Sequence, residues 1–366
     1  MLAVQDLAHR LVSARPGLNA LITYPEGVAP PPLPQRGENR IFQTPVPSEH
    51  PQSVQIHLDH WRPDACIWTW GGLRPNLIVE MAASGCPLFL IDADGRGFDG
   101  RRHRWLPDLT RHVLSQFTEV LCRSAAGRRR LTGLGLPNDA IDITPPLLAG
   151  GQPLPCLDSD LADLSAAIGG RPVWFATEVS SKEVPTVLAA HAKALRHSHR
   201  LLLIIQPAAL SQTSYIIATA QQRHMNTINW GDGDYPDDVT QVMVADDPAD
   251  TGLFYRIAPV SFLGSSLVSG DLGGDPLDAA SLGSAVLYGP KVRHFLPSYS
   301  RLAAAGAARI VNDADALGNA VSRLIAPDQA AAMAHAGWDV ISQGATLTDR
   351  VIDMIQEALD TRVMTR

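Results

Sequence analysis

Residues 260–290 read VSFLGSSLVSGDLGGDPLDAASLGSAVLYGP. An apolar run at 260–264 passes through a glycine-rich loop into a helix start near Pro276, and a second apolar run follows at 285–288. Both runs are short and almost wholly apolar, as strands covered on two faces must be, and a helix between two such strands makes them parallel. Asp275 ahead of Pro276 is an N-cap pattern: its carboxylate can accept backbone N–H groups, and a proline at the first helical position leaves no N–H wanting. Free N–H groups at the same helix start, reinforced by the dipole, also suit a phosphate or a ribose. Both readings stand on the sequence.

Outward from this unit the same rhythm repeats. Strands are expected at residues 18–23, 40–44, 65–70, 87–92, 119–122 and 140–143 in the first half. In the second half they are expected at 172–177, 201–206, 227–230, 241–245, 260–264, 285–288 and 308–311, with helices running on to the C-terminus. Residues 144–158, TPPLLAGGQPLPCLD, are rich in proline and glycine and lack periodicity, so they read as a linker. The expectation is an α/β protein of two doubly wound Rossmann-like domains, 1–148 and 149–366, facing across a cleft, with the last helices returning to the first domain. Residues 26–39, EGVAPPPLPQRGEN, continue neither element and read as an exposed loop, with a PxxP ligand as the alternative.

Composition limits the function. Apolar residues are 45% and charged residues 18% of the 366, enough for a sizeable core and against wholesale disorder. Thirty Lys and Arg against 37 Asp and Glu leave a net charge of −7, so no global positive field exists to hold a nucleic acid. Cys66, Cys86, Cys122 and Cys156 never form a CxxC pair, which points to reduced thiols and away from a zinc cage or a disulfide framework. Asp6 and His9 interrupt the N-terminal apolar pattern, and no later stretch offers about 18 uncharged apolar residues. A cytoplasmic protein, or one peripheral to a membrane, is expected.

In open parallel sheets ligands gather beyond the carboxyl ends of the strands. The loop at 92–100, DADGRGFDG, spaces Asp92, Asp94 and Asp99 like a metal loop, but a calcium loop should follow a helix, should not carry Arg96 at its fifth position and should end in Glu where His103 stands. No metal is expected. Asp232 and Asp234 in NWGDGDYP, residues 229–236, are explained by turn chemistry. The basic runs Arg101–Arg104 and Arg128–Arg130 read as solvated faces or as contacts to an anionic lipid surface. His9, His112, His191 and His335 occur singly, with neither HExxH nor GxSxG nearby, and receive no catalytic role.

Four strings lie in one consistent order: HLDHWRPDACIWTWGGLRPNLIVE from His57, VADDPADTGLFYRIAPVSFLGSSLV from Val244, GGDPLDAASLGSAVLYGP from Gly273 and AAGAARIVNDADAL from Ala304. Together they resemble the Kdo transferase family, the 3-deoxy-D-manno-octulosonic acid transferases, from about Leu2 to past Leu317. The resemblance implies the two-domain GT-B glycosyltransferase fold and transfer of Kdo from CMP-Kdo to a lipid A precursor on the cytoplasmic face of the inner membrane. It implies an inverting, metal-independent reaction without a cofactor, in which a carboxylate deprotonates the acceptor hydroxyl.

Several family motifs are altered. The family's base is a Glu that closes a strand ahead of the first helix; this sequence begins at about that position with Met1 and Leu2, so either the base is absent or the true start lies upstream. Of Glu26, Asp92 and Asp94, the expected replacement is Asp92. The family's Glu-x-Glu-Leu-Trp-Pro-Asn falls on Trp70 to Asn76, where Pro75 and Asn76 match and both carboxylates are gone. Its Asn-Ala-Arg becomes Asp92-Ala93-Asp94, and its Pro-Arg-His becomes Gln206-Pro207-Ala208.

The nucleotide loop is kept best. Family Gly-Gly-Ser-Leu is matched by Gly264, Ser265, Ser266 and Leu267, and Asn-Pro-Leu-Glu-Pro by Asp275, Pro276, Leu277, Asp278 and Ala279. The carry-over assigns Gly264, Ser265, Ser266, Asp275, Asp278, Glu183 and Lys291 to donor binding. Asp278 would meet a ribose diol, Asp275 brings a negative charge toward an anionic donor, and Lys182 with Lys291 offsets it. The implied functions are a Kdo transferase-like enzyme using CMP-Kdo or another nucleotide sugar, or a catalytically inactive homologue that serves as a binding or regulatory partner in lipopolysaccharide assembly.

Overall fold

The computed structural model describes residues 2–28, 40–69, 72–94, 107–150, 154–268 and 273–364. They fall into two compact units, 1–149 with 343–366, and 150–342.

The first unit opens with α1 (Leu2–Ala14), β1 (Ala20–Tyr24), β2 (Ile41–Pro45), α2 (Pro51–Trp61), β3 (Cys66–Thr69) and α3 (Pro75–Ala83). It continues with β4 (Leu88–Ala93), α4 (Pro107–Leu114), β5 (Glu119–Cys122), α5 (Ala125–Gly133) and β6 (Ile141–Ile143). Strands β3-β4-β5-β6 form one parallel sheet in that order, and β1 pairs with β2 in parallel. Strand β4, LFLIDA, is buried at every position, so it carries no alternation. Its even face meets Ile78 and Met81 of α3 with Val113 and Leu114 of α4, while Phe89 and Ile91 turn to α1.

The second unit comprises α6 (Asp158–Ile168), β7 (Val173–Val179), α7 (Val184–Leu195), β8 (Leu202–Pro207), α8 (Thr213–Gln222), β9 (Thr227–Asn229) and β10 (Val242–Val244). After these come α9 (Thr251–Ile257), β11 (Val260–Leu263), α10 (Pro276–Ser281), β12 (Ala285–Tyr288), α11 (Leu296–Ala304), β13 (Ala308–Ile310), α12 (Ala314–Leu324) and α13 (Pro327–Met364). Seven strands make one sheet in the order β13-β12-β11-β7-β8-β10-β9, all parallel. Trp174 and Ala176 face the cluster of α7 and α12, whereas Phe175 packs 5.6 Å from Phe254 and 5.2 Å from Tyr255 of α9. Each large side chain so buried contributes about 1.5–3 kcal/mol.

From β7 the chain passes to β8, then to β9 at the edge and β10 between them, and returns to the other side of β7 at β11 before winding through β12 and β13. The reversal falls between β7 and β11. The class is therefore the parallel α/β type expected, and the second sheet is doubly wound about that point; the first unit departs from the expectation of two doubly wound domains, since β3-β4-β5-β6 run in one direction and β1-β2 form a separate pair among the described residues. Each of the thirteen expected strands has its counterpart, displaced by at most two residues at either end. All four cysteines are free thiols. No helix among the described residues is long and apolar enough to cross a membrane.

Candidate functional site

The carboxyl ends of β7 and β11 meet at the switch point, the place where open parallel sheets characteristically bind ligands. Gly264 follows β11, and its N–H donates to the Thr177 carbonyl at 2.8 Å. A Cβ there would stand 2.6 Å from the Glu178 carbonyl oxygen and 2.7 Å from that of Thr177, so only glycine lets the two strand ends approach so closely.

Glu183 organises the loop that leaves this point. It precedes α7, is fully buried, and its Oε2 accepts N–H groups from Ser180 (3.2 Å) and Ser265 (2.5 Å) and the Ser180 hydroxyl (3.1 Å). Its Oε1 accepts N–H groups from Ser266 (2.9 Å) and Leu267 (2.7 Å). A carboxylate can satisfy several donors at once, and the loop's three consecutive N–H groups converge on it. Those groups therefore point to Glu183 and not to a phosphate, and Glu183 shapes the loop in place of touching a ligand. Ser265 adopts the left-handed φ of 51° that turns the chain, with its hydroxyl donating to the Glu178 carbonyl at 2.8 Å. The Ser266 hydroxyl donates to the Leu263 carbonyl at 2.5 Å and accepts the Gly289 N–H at 2.8 Å. The Lys291 N–H donates to the Ser266 carbonyl at 2.8 Å, which fixes the Gly289–Lys291 turn against the same loop.

Asp275 is the N-cap of α10, its Oδ1 accepting the Leu277 N–H at 3.0 Å ahead of Pro276. The capping reading thus replaces the expectation of free N–H groups at that helix start. Asp278 lies one turn on, and its charge acts on both Glu178 and Tyr255. Burial and the nearby Glu178 charge push the Tyr255 and Tyr299 phenols well above their ordinary range. The Tyr299 hydroxyl donates to the Gly274 carbonyl at 2.9 Å. Gln206 closes the neighbouring strand end, accepting the Thr177 hydroxyl at 2.8 Å and donating to the Asp247 carbonyl at 3.2 Å.

In the first unit Asp92 ends β4 with φ at 55°, is buried, and is engaged at both oxygens. Arg123 Nη2 stands 2.6 Å from Oδ2, and the Leu147 N–H donates to Oδ1 at 3.0 Å. Burial raises its pKa against the lowering by the Leu147 N–H and Arg123. The expectation that Asp92 serves as a free base is therefore replaced by a structural tie between β4, β5 and the chain ahead of the second unit.

Residues 1–147 match the family described as 3-deoxy-D-manno-octulosonic-acid transferase (kdotransferase). Over 329 residues the chain is 23% identical to the 3-deoxy-D-manno-octulosonic acid transferase of Haemophilus influenzae, covering 88% of this chain and 76% of that one. Over 335 residues it is 26% identical to the enzyme of the same name from Bordetella pertussis, with 88% and 76% covered. Over most of its length the chain is thus similar in sequence to Kdo transferases. The crystal structure of the C-terminal CMP-Kdo binding domain of WaaA from Acinetobacter baumannii matches 51% of this chain and 95% of its own, at 21% identity and a TM-score of 0.46.

In this chain Gly264, Ser265, Ser266, Asp275, Asp278, Glu183 and the Lys291 backbone are brought together, all within the second unit, whereas Asp92 belongs to the first. Asn76, in the first turn of α3, is tied to Glu49: its Nδ2 donates to the Glu49 carbonyl at 2.7 Å and its N–H to Glu49 Oε2 at 3.1 Å. Asp232 and Asp234 flank the left-handed Gly233 of a turn and are exposed. Arg128 spends its guanidinium on the Ile141 carbonyl at 2.6 Å. Trp70, Gly71, Asp99 and Arg101–Arg104 lie outside the described residues, as do residues 29–39 of the proline-rich loop. Among the described residues no group of three or more His, Cys, Asp or Glu could hold a metal ion. Glu178 and Tyr255 escaped the sequence reading; the one signal was an acid closing the otherwise apolar run VWFATEV.

Proposed function

We propose that this chain is a Kdo transferase-type glycosyltransferase that seats a CMP-sugar at the switch point of its second unit and works in lipopolysaccharide synthesis. The observation that carries the reading is the loop of Gly264 to Leu267, folded onto Glu183 beside the Asp275–Asp278 helix start, in a chain related to Kdo transferases throughout both units. The donor is CMP-Kdo, the acceptor a lipid A precursor, and the place of action the cytoplasmic face of the inner membrane, reached peripherally. Asp278 accepts hydrogen bonds from the ribose hydroxyls, and Lys291 with Lys182 faces the phosphate. No metal or cofactor enters this reading.

A second reading is a binding or regulatory partner without catalysis. The engagement of Asp92 at both oxygens favours it, because the expected replacement base already holds Arg123 and the Leu147 N–H. Calorimetric titration with CMP followed by a transfer assay with CMP-Kdo and a lipid A precursor separates the two. Saturable CMP binding with transfer is the expected result. Binding without transfer supports the second reading, and no binding up to millimolar CMP removes the CMP-sugar reading and leaves another nucleotide or the non-catalytic partner role. Asp278→Ala should weaken CMP at least tenfold, a loss of about 1.4 kcal/mol; an unchanged affinity would sink the placement of the ribose.

A further inference from the structure

The two units differ in one strand. In the second unit the first strand, β7, stands inside the sheet, with β8 on one side and β11 on the other. The chain fills the β8 side before it crosses back to β11, β12 and β13. The first unit follows the same course: α1 leads to the pair β1-β2, and α2 leads on to β3, β4, β5 and β6. Its counterpart of β7 is missing among the described residues, where no strand stands ahead of α1, β1 pairs only with β2 and β3 only with β4.

The two pieces of the first sheet nevertheless share the layers that cover them. On one face Leu7 and Leu11 of α1 pack with Phe89 and Ile91 of β4, and Leu18 ahead of β1 and Ile67 of β3 pack against the same cluster. On the other face Val46 after β2, Leu58 of α2 and Cys66 and Trp68 of β3 join the cluster built on α3 and β4. Strand β3 is apolar on both faces yet half-buried at all four of its positions, whereas β4 beside it is buried at all six. Its outer edge thus has the composition of an inner strand without the cover of one. Helix α1 packs against β1 and joins it through residues 15–19, so it runs back along that strand and begins, at Leu2, near the strand's carboxyl end. A strand ahead of α1 and parallel to β1 ends at that same edge, and a right-handed crossover places it beside β1.

We propose that the first unit holds an open place for one strand between β1 and β3, and that its occupant is an extended segment joined ahead of Leu2 and parallel to both neighbours. The place asks for about five residues, apolar on both faces and free of proline, because helices cover both faces and both edges are paired. The last residue of that strand stands where the winding reverses, the edge at which open sheets take ligands, so the first unit's share of any site is incomplete without it. The inference concerns the first unit alone and holds whether or not the second binds CMP.

The test compares the 366-residue chain with the same chain carrying Val-Ile-Val-Val-Thr and a short Gly-Ser connection ahead of Leu2, by thermal melting and amide hydrogen exchange. In the extended protein alternate amides of β1 and β3, those on the facing edges, should exchange about tenfold more slowly or better, and those of β7 and β11 should not change. A second extended protein with proline at the middle of the added strand should lose the gain. Unchanged exchange at β1 and β3 in a protein that melts as a folded one, or the same slowing with the proline, overturns the open place. The intact mass of the protein isolated from the cells that make it tests the occupant. A mass above that of the 366 residues by at least such a strand is expected, and the mass of the 366 residues alone overturns the segment ahead of Leu2.

Discussion

Glu183 shows how one buried carboxylate can set a loop eighty residues away in sequence. Four backbone N–H groups and one hydroxyl converge on it, from Ser180, Ser265, Ser266 and Leu267. Glu183→Gln replaces an acceptor oxygen by an NH2 group facing donors, leaving at least one buried N–H unsatisfied at about 1–3 kcal/mol each. The melting temperature should fall by roughly 5–10 °C and CMP affinity with it; an unchanged melting curve would show that the loop holds its form without the charge. His191 gives the opposite kind of test. It is fully buried, accepts the Trp174 indole N–H at Nδ1 (3.1 Å), and has Nε2 3.0 Å from the Gln241 carbonyl. Burial lowers its pKa to about 3, so the folded protein keeps the neutral ring. The unfolded chain binds a proton below about pH 6.5. Stability from this residue is thus complete above pH 6.5 and falls by up to about 1.4 kcal/mol per pH unit as pH drops toward 3. His191→Gln, whose amide can both accept and donate, should show a shallower acid loss between pH 6 and 4; equal slopes in thermal melts would refute the account.

At the scale of elements, the close approaches are made by glycine. Gly264 lies against the carbonyls of Thr177 and Glu178, and Gly289 against Ser266, whose carbonyl oxygen would be 2.3 Å from an added Cβ. Gly264→Ala should therefore drive β7 and β11 apart and cost about 2–3 kcal/mol. Gly283→Ala, at a left-handed φ of 82° with open space around it, should cost only about 1 kcal/mol. Thermal melts of the two variants check the order, and a Gly264→Ala protein as stable as Gly283→Ala would contradict it. The strands themselves were legible because parallel strands are continuous apolar runs, and the linker because proline and glycine deny it a period. The capping of α10 was legible as one of two options, since Asp-Pro carries the same letters whether the N–H groups are free or taken. The convergence of the 265–267 N–H groups on Glu183 was not legible, because it joins residues 82 to 84 positions apart through a sheet order that no local pattern encodes. Glu178 was missed for a related reason: a lone acid near the end of an apolar run gives no sign of the register shift that falls there.

For the whole molecule, α13 is the element that belongs to both units. Its residues through 342 count with the second unit and those from 343 with the first. The later part carries Leu347, Val351 and Ile355 at a spacing of four, one face of a helix, all buried in a cluster with Leu7 and Leu11 of α1 and Phe89, Ile91 and Leu121 of the sheet. Ion pairs flank that face: Arg350 with Asp142, and Arg15 with Asp360 at 2.8 Å. At the exposure they have, such pairs contribute little beside the apolar contact. The last stretch of chain therefore stabilises the first unit even though it follows the second in sequence, and the two units differ in what each loses when it is weakened. Leu347→Ala removes a side chain that is 1% exposed and should cost about 2–5 kcal/mol, drawn from the first unit. Amide hydrogen exchange in that variant should quicken across β4 and β5 and stay unchanged across β7 and β11, because opening follows the cooperative unit that lost its contacts. Trp338→Ala, at a position 59% exposed on the same helix, should change neither set. Exchange that quickened equally in both sheets after Leu347→Ala would mean that the chain unfolds as one body, and the division of α13 between two stabilities would be wrong.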